Sequence, residues 1–465
     1  MKWCLYFCIG WLIVGMTSCK KESFITGAGA RISFSADTLK FDTVFTTLGS
    51  TTRMVKVKNE NDQKLMLSSI RLMGGNQSPF KTNINGTPTP EMLQLEVAAN
   101  DSIYIYVVVT IDPTQNNLPF LVTDSIEIKF NDQTRYIQLE AYGQNANFIT
   151  HQTINSTQVW NHPLPFVVLG SLTVRETGQL TLSPGTRMYV RATAPIIIHG
   201  TLITNGTRNR PVVFRGERID EYYRDLPGSW PGIVFTETSK NNVLTFTELH
   251  NALNAITVNG PSVNAQPKIN IRQCVINNAF ESGLLLTETD AEVTNSLISN
   301  CASNIRIQKG GNYNFIHCTI ASMTNRYFFR QTPVLSLANF LSENGQISVS
   351  PLNAAFTNSI FWGNSGFIQN EIELWKDASA GFGVTFQHCL YRMENAPAPA
   401  TNINCISNTD PQFSMIDQAE DIFDFRIGDP LSPVIDQGIL TGLPKDLDDN
   451  ERNVGLPDLG AYEKQ

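Results

Sequence analysis

The sequence predicts an all-β chain in two parts, an antiparallel β-sandwich followed by a solenoid of stacked coils. Three observations carry that expectation. Short runs of Val, Ile, Thr and Phe broken by Asn and Gly fill most of the chain, and helix-favouring stretches are scarce. An early segment alternates apolar and polar residues with period two. Further on, similar seven-residue segments recur at a spacing near 22 residues. A length of 465 residues exceeds one ordinary domain and suits such a division. The formal charge of −8, with no run of five or more basic residues, argues against a nucleic-acid partner.

At the N-terminus, Lys2 precedes the apolar run WCLYFCIGWLIV at residues 3–14, which is too short to cross a bilayer and reads as a targeting segment. The following MTSC, Met16 to Cys19, resembles a bacterial lipobox, with Met in place of the usual Leu. The resemblance implies a signal peptide over 1–18, lipidation of Cys19, and a tether over 19–31 leading away from a membrane held through acyl chains. The protein would then be an outer-membrane lipoprotein. Lys20, Lys21 and Glu22 partly resemble a surface-export signal, which places it on the cell surface. A plain secretory signal with an incidental Cys is the alternative. Removing Cys4 and Cys8 with the signal and assigning Cys19 to lipid leaves Cys274, Cys301, Cys318, Cys389 and Cys405. An odd number with no C-x-x-C spacing is neither a disulfide framework nor a zinc signature.

Residues 32–145 follow as the sandwich. Val55 and Val57 alternate with Lys56 and Lys58, while Ile103, Ile105, Val107, Val109 and Ile111 share one side of a second strand. About seven such strands are expected. The stretch DTLKFDTVFTTLGSTTRMVKVKN and the closing IQLEAYGQN resemble Hydin-like immunoglobulin-type domains of bacterial envelope lipoproteins. Asp-Ser/Thr-aliphatic triplets at Asp37, Asp42, Asp101 and Asp124 also resemble a bacterial O-glycosylation sequon.

After a linker expected at 146–159, the solenoid runs over 160–408. The segments IRQCVIN, VTNSLIS, FIHCTIA, FTNSIFW and FQHCLYR start at Ile271, Val293, Phe315, Phe356 and Phe386, with spacings of 22, 22, 41 and 30. Equal periods followed by longer ones describe coils in register with inserted loops. One column holds Gln273, Asn295, His317, Asn358 and His388, and the next holds Cys274, Ser296, Cys318, Ser359 and Cys389. These columns resemble the polar ladders of right-handed parallel β-helices of the pectate-lyase-like type. The His317-Cys318 and His388-Cys389 pairs therefore read as ladder positions before they read as metal ligands or nucleophile and base.

The C-terminal motifs DPQF, SPVIDQG, DLDDNER and PDLGAYE resemble the closing region of choice-of-anchor Q β-helix proteins, which implies a capping region over 409–465. Asp449 stands where that family has Gly. Asp446, Asp448 and Asn450 have calcium-loop spacing, but Glu451 replaces the Gly such a loop needs, so an Asx turn is expected and no cofactor is required.

The repeat region holds no GHG triplet and no Asn-x-Asp followed by Asp-Asp. Aligning Ile305 with Ile372 puts Arg306 in one outward column with Glu373, Lys309 with Lys376, and Gln308 with Trp375. Sugar contact through Arg306, Lys309, Glu373, Trp375 and Lys376 is the binding reading of this cluster, set against a solvated, salt-bridged face. The sequence thus suggests a monomeric surface module for binding or structure, with glycan as candidate ligand. The alternative is a polysaccharide lyase or glycosidase acting on an acidic glycan, with Lys309 or Arg306 as base.

Overall fold

The structure is a computed structural model that describes residues 23–114, 119–327, 329–364, 367–452 and 455–464. The signal segment and Cys19 lie outside these residues. The chain divides into two compact units, 1–145 and 146–465.

The first unit is a β-sandwich of two five-stranded sheets, richer in strands than the seven expected. Arg53–Asn59 pairs antiparallel with Ser102–Val109, and the alternation read in both strands is realised. Val55, Val57, Ile103, Ile105, Val107 and Val109 are all buried in one core with Ile126, Ile128 and Phe41 from the facing sheet. Thr38–Phe45 pairs parallel with Gln133–Gln144, closing the second sheet.

The second unit is a parallel β-helix built on one 26-stranded sheet. It begins earlier than the sequence suggests. The segment read as a linker carries strands Asn147–Ile154 and Thr157–Trp160, which pair in parallel with Phe166–Val174 and Gln179–Leu182. Each coil has three faces. In the middle of the stack the first face holds Val275–Asn277, Leu297–Ser299, Thr319–Ser322 and Ile360–Gly363. The second holds 284–287, 305–307, Leu335–Ala338 and Ile372–Trp375. The third holds Ile269–Arg272, 291–294, 313–316 and Leu352–Thr357. Inward residues stack on their own kind: Phe315, Phe356 and Phe386 lie ring over ring at 5.0 and 4.9 Å, matching a rung spacing of about 4.8 Å.

The bend from third to first face explains the two His-Cys pairs. Gln273, Asn295, His317, Asn358, His388 and Asn404 all adopt φ between 46° and 53°. A left-handed bend selects Gly, Asn, Asp or His, so His replaces Asn here for a backbone reason. The ladder also grips a neighbour. Gln273 and Asn295 donate to the carbonyls of Asp446 and Lys445, Asn358 exchanges two hydrogen bonds with Ile439, and His388 Nδ1 donates to the Gln437 carbonyl at 2.7 Å.

The C-terminal segment, expected to close the open end of the stack, therefore lies along its flank. Its Phe425, Leu447, Leu459, Ala461 and Tyr462 bury the outward residues Leu297, Ala321, Ile360 and Leu390 of the first face. The strand ends on that side are covered laterally because outward side chains of this face are apolar and need a partner. Asp446 and Asp448, spaced as in a calcium loop, have other partners. Asp446 accepts from the Asn450 and Glu463 amides, and Asp448 pairs with Arg208 and Arg426. Asp449 adopts φ +68°, the conformation for which Gly is the easier residue.

Candidate functional site: a walled groove on the second face

The second-face groove is positioned by three consecutive rungs. Ile305, Leu335 and Ile372 point inward in one column, so Arg306, Ser336 and Glu373 stack outward. The alignment that joined Arg306 to Glu373 is right in column, but a rung lies between them, Leu335–Ala338, which the long spacing concealed. Arg306 and Glu373 are thus about 9.6 Å apart along the stack. Trp375 pairs with Ala338, and its side chain is 52% exposed.

One wall of this groove comes from an insertion. Phe340–Glu343 and Gln346–Val349 form an antiparallel hairpin closed by Asn344 and Gly345, both at positive φ. That Asn-Gly pair between two strand-like runs is the strongest local signal for a hairpin, and it would have located the wall from sequence alone. Asn339 fixes the hairpin's base: its amide nitrogen donates to the Asp377 carbonyl at 2.8 Å and its oxygen accepts from the Asp377 amide at 2.7 Å. Phe340, Leu341 and Ser342 then enclose, with Arg306, Glu373 and Trp375, a cleft of about 390 Å³.

Two of the five residues read as a cluster stand outside it. Lys309 occupies a bend within the strand Ser303–Ile316 at φ +57° and forms an ion pair with Glu288 at 2.7 Å. Burial pushes the Glu288 carboxyl up, but hydrogen bonds from Lys309 and Ser350 outweigh it and hold the group below its ordinary range. Both line a neighbouring concavity with His199, Glu237 and Thr238 across the same hairpin. Lys376 is exposed beyond the end of its strand and lines neither.

Sequence reading missed two further concavities. On the third face, Asn312 donates to Asp290 at 2.6 Å and Asn353 donates to Asn312 at 3.0 Å, an outward ladder beside a hollow of about 670 Å³. Gly383 continues that column, and a Cβ there would stand 3.2 Å from Asn353 Oδ1. The other lies at the bend from first to second face and is enclosed by the stretches 221–225 and 325–327 and by Glu420, Asp421 and Phe423. His250 and Arg215 line it from adjacent rungs. His250 Nε2 lies 3.2 Å from Glu248, and this contact is the main reason the Glu248 carboxyl is held low. The signal was the outward column through VFRG and ELHN, which places Arg215 next to His250 once the 35-residue step between them is recognised as one coil.

No protein-family model matches the chain, and no curated protein matches it. Among solved structures, a family 123 glycoside hydrolase from Clostridium perfringens, described for glycolipid glycan hydrolysis, aligns at 11% identity with a TM-score of 0.20. The alignment covers 29% of this chain and 31% of that one, so the likeness is local and carries no argument.

Proposed function

We propose that the protein is a lipid-anchored module of the outer membrane, exposed at the cell surface, whose β-helix binds glycan in the second-face groove. The observation that carries the binding reading is Trp375: a half-exposed indole beside Arg306, Ser336 and Glu373, under a hairpin that supplies Phe340. An aromatic plate offers a sugar ring an apolar face, and flanking charged and hydroxyl groups offer bonds to its hydroxyls. Arg306 suits a uronate carboxylate through a paired, charge-assisted contact. The lipobox-like MTSC and the likeness of residues 32–145 to domains of envelope lipoproteins support the location. Titration with soluble polyuronate and with a neutral glucan tests the groove. Saturable binding weakened tenfold or more by Trp375→Ala is expected, and equal binding by the variant refutes the assignment. Replacement of Cys19 by Ala should move the protein from the membrane to the soluble fraction.

A second reading is favoured by the His250 pocket. A His steadied by Glu248, next to Arg215 on the adjacent rung and in an enclosed polar hollow, is arranged for proton abstraction from an acidic sugar bound by Arg215. It moves the candidate base away from Lys309, which is engaged with Glu288. Unsaturated product absorbing in the ultraviolet, lost in His250→Ala, is its test.

A further inference from the structure

The inward column beside the ladder continues one rung further than the repeat alignment reached. Leu390 pairs with Ile406, and the Ile406 amide donates to the Cys389 carbonyl at 2.8 Å, so Cys389 and Cys405 occupy the same position on the last two coils. Their thiols follow the same local pattern. Cys389 Sγ donates to the carbonyls of Phe356 and Gln387, and Cys405 Sγ to those of Phe386 and Ile403, at 3.4 to 3.5 Å. Each thus reaches one carbonyl of its own coil and one of the coil below. Elsewhere the column alternates: Cys274, Ser296, Cys318, Ser359, Cys389. Cysteines separated by a serine are about 9.6 Å apart, beyond the reach of a disulfide, whereas adjacent rungs bring Cα atoms to about 4.8 Å, within the 4.4–6.8 Å that a disulfide spans.

We infer that Cys389 and Cys405 are a disulfide-forming pair that staples the last two coils of the β-helix when a disulfide oxidant is present. Access decides the order of events. Cys405 is partly exposed and Cys389 is buried. The Cys405 thiolate attacks the oxidant's disulfide, forming a mixed disulfide and releasing one thiolate. Cys389, deprotonated as it reacts, then attacks the Cys405 sulfur and releases the second thiolate. The protein loses two protons and two electrons, and the oxidant is reduced to two thiols. The neighbouring Cys389 thiol assists the first step, because it stabilises the Cys405 thiolate and holds its pKa down. Burial, then the neighbouring Cys405, holds the Cys389 pKa up, so it acts second. The remaining thiols are spectators: burial pushes Cys274, Cys301 and Cys318 up to about 12.

The test is independent of location and of any ligand. The full chain is incubated with oxidised glutathione at pH 8, alkylated without unfolding, then unfolded, alkylated with a heavier reagent and mapped by peptide mass. The expected product is a peptide pair linked through Cys389 and Cys405, separated by dithiothreitol, with Cys274, Cys301 and Cys318 carrying only the heavy label. In Cys389→Ser the reaction stops at a glutathione adduct on Cys405, which shows that this residue is the entry point. A wild-type chain that accumulates the Cys405 adduct without closing the internal bond overturns the inference, as does one in which both thiols stay reduced. Circular dichroism of the reduced chain and of Cys389→Ser, unchanged from wild type, confirms that the chemistry is read on folded protein.

Discussion

Arg452 is the point at which the lateral C-terminal segment is most deeply tied to the β-helix, and its removal should cost stability in a pH-dependent way. Its side chain is 1% exposed and that of Glu463 is 3% exposed. It donates to Glu463 at 3.0 Å, to the Gly460 carbonyl at 3.0 Å and to Asn295 of the ladder at 3.1 Å. Asp458, close by in the same segment, is taken up by backbone instead: it accepts from the amides of Asp436 and Lys464. Breaking a buried pair from one side typically costs about 3–5 kcal/mol, because the stranded charge has no solvent. Glu463, however, has an escape. Burial and then the nearby Asp458 push its carboxyl up to about 7, well above an unfolded value near 4.3. A raised acid binds more protons folded than unfolded, so its contribution is full below the unfolded pKa and is lost as pH rises through 7. Removing the Arg452 cation raises that pKa further. The Arg452→Ala penalty is therefore expected near 4 kcal/mol at pH 8.5 and closer to 2 kcal/mol at pH 5.5, where the carboxyl is neutral and lost hydrogen bonds and packing remain. Two compact units make a global melt ambiguous. Hydrogen exchange of the peptides spanning 444–464, corrected for intrinsic rates, reads the local opening free energy directly. A penalty that is equal at both pH values, or larger at pH 5.5, would refute the account of Glu463.

Two further outcomes follow from the same packing. His317→Asn should leave the protein folded with a loss of at most about 1–2 kcal/mol in urea titration, because Asn already fills the same left-handed bend at Asn295 and Asn358. An Asn oxygen can also accept the bond that Asn358 now donates to His317 Nε2 at 2.9 Å. Deleting 430–465 should cause aggregation measurable by light scattering, since it uncovers Leu297, Ala321, Ile360 and Leu390 on one continuous face. A monomeric truncation would show that this face tolerates water.

Legibility in the sequence followed physical periodicity. The sandwich strands were readable because a face buried on one side imposes alternation at every second residue, as Val55, Val57 and the run from Ile103 to Val109 show. The coils were readable where a rung is short, because Ile271, Val293 and Phe315 face the same core at equal intervals. The rung Leu335–Ala338 was hidden because insertions on both sides of it break the interval, and four residues are too few to carry a period of their own. The early coil Asn147–Trp160 was hidden for a related reason: its outward residues His151 and Thr153 and its turn at Asn155 look like linker composition. Trp375, Arg306 and Glu373 meet in the groove because column alignment is a statement about strands. Lys309 and Lys376 do not: Lys309 sits at a positive-φ bend within Ser303–Ile316 and Lys376 lies past the end of Ile372–Trp375, and at both places the chain turns and the column no longer predicts direction.

The ladder shows why a stacked polar column can look like chemistry. His317 has the surroundings of a disabled base: it is fully buried, and burial followed by the Arg452 charge holds its pKa far below the ordinary value, so the ring stays neutral. Its Nε2 accepts from Asn358, which leaves the proton on Nδ1. A general base must meet the proton it removes, and this fully buried ring is closed off by Asn358 at Nε2 and by the C-terminal segment, whose Gly460 amide bonds the Asn358 carbonyl. His250 differs on each count. It lines a polar hollow, has a carboxylate at Nε2 and shares the wall with an arginine from the next rung. The residue type is the same in both places, but the flanking chain packs over the fully buried His317 and only borders the hollow at His250, through Glu420, Asp421 and Phe423. Burial beneath that segment, more than the identity of the side chain, therefore separates the neutral, enclosed His317 from a His250 that borders a hollow.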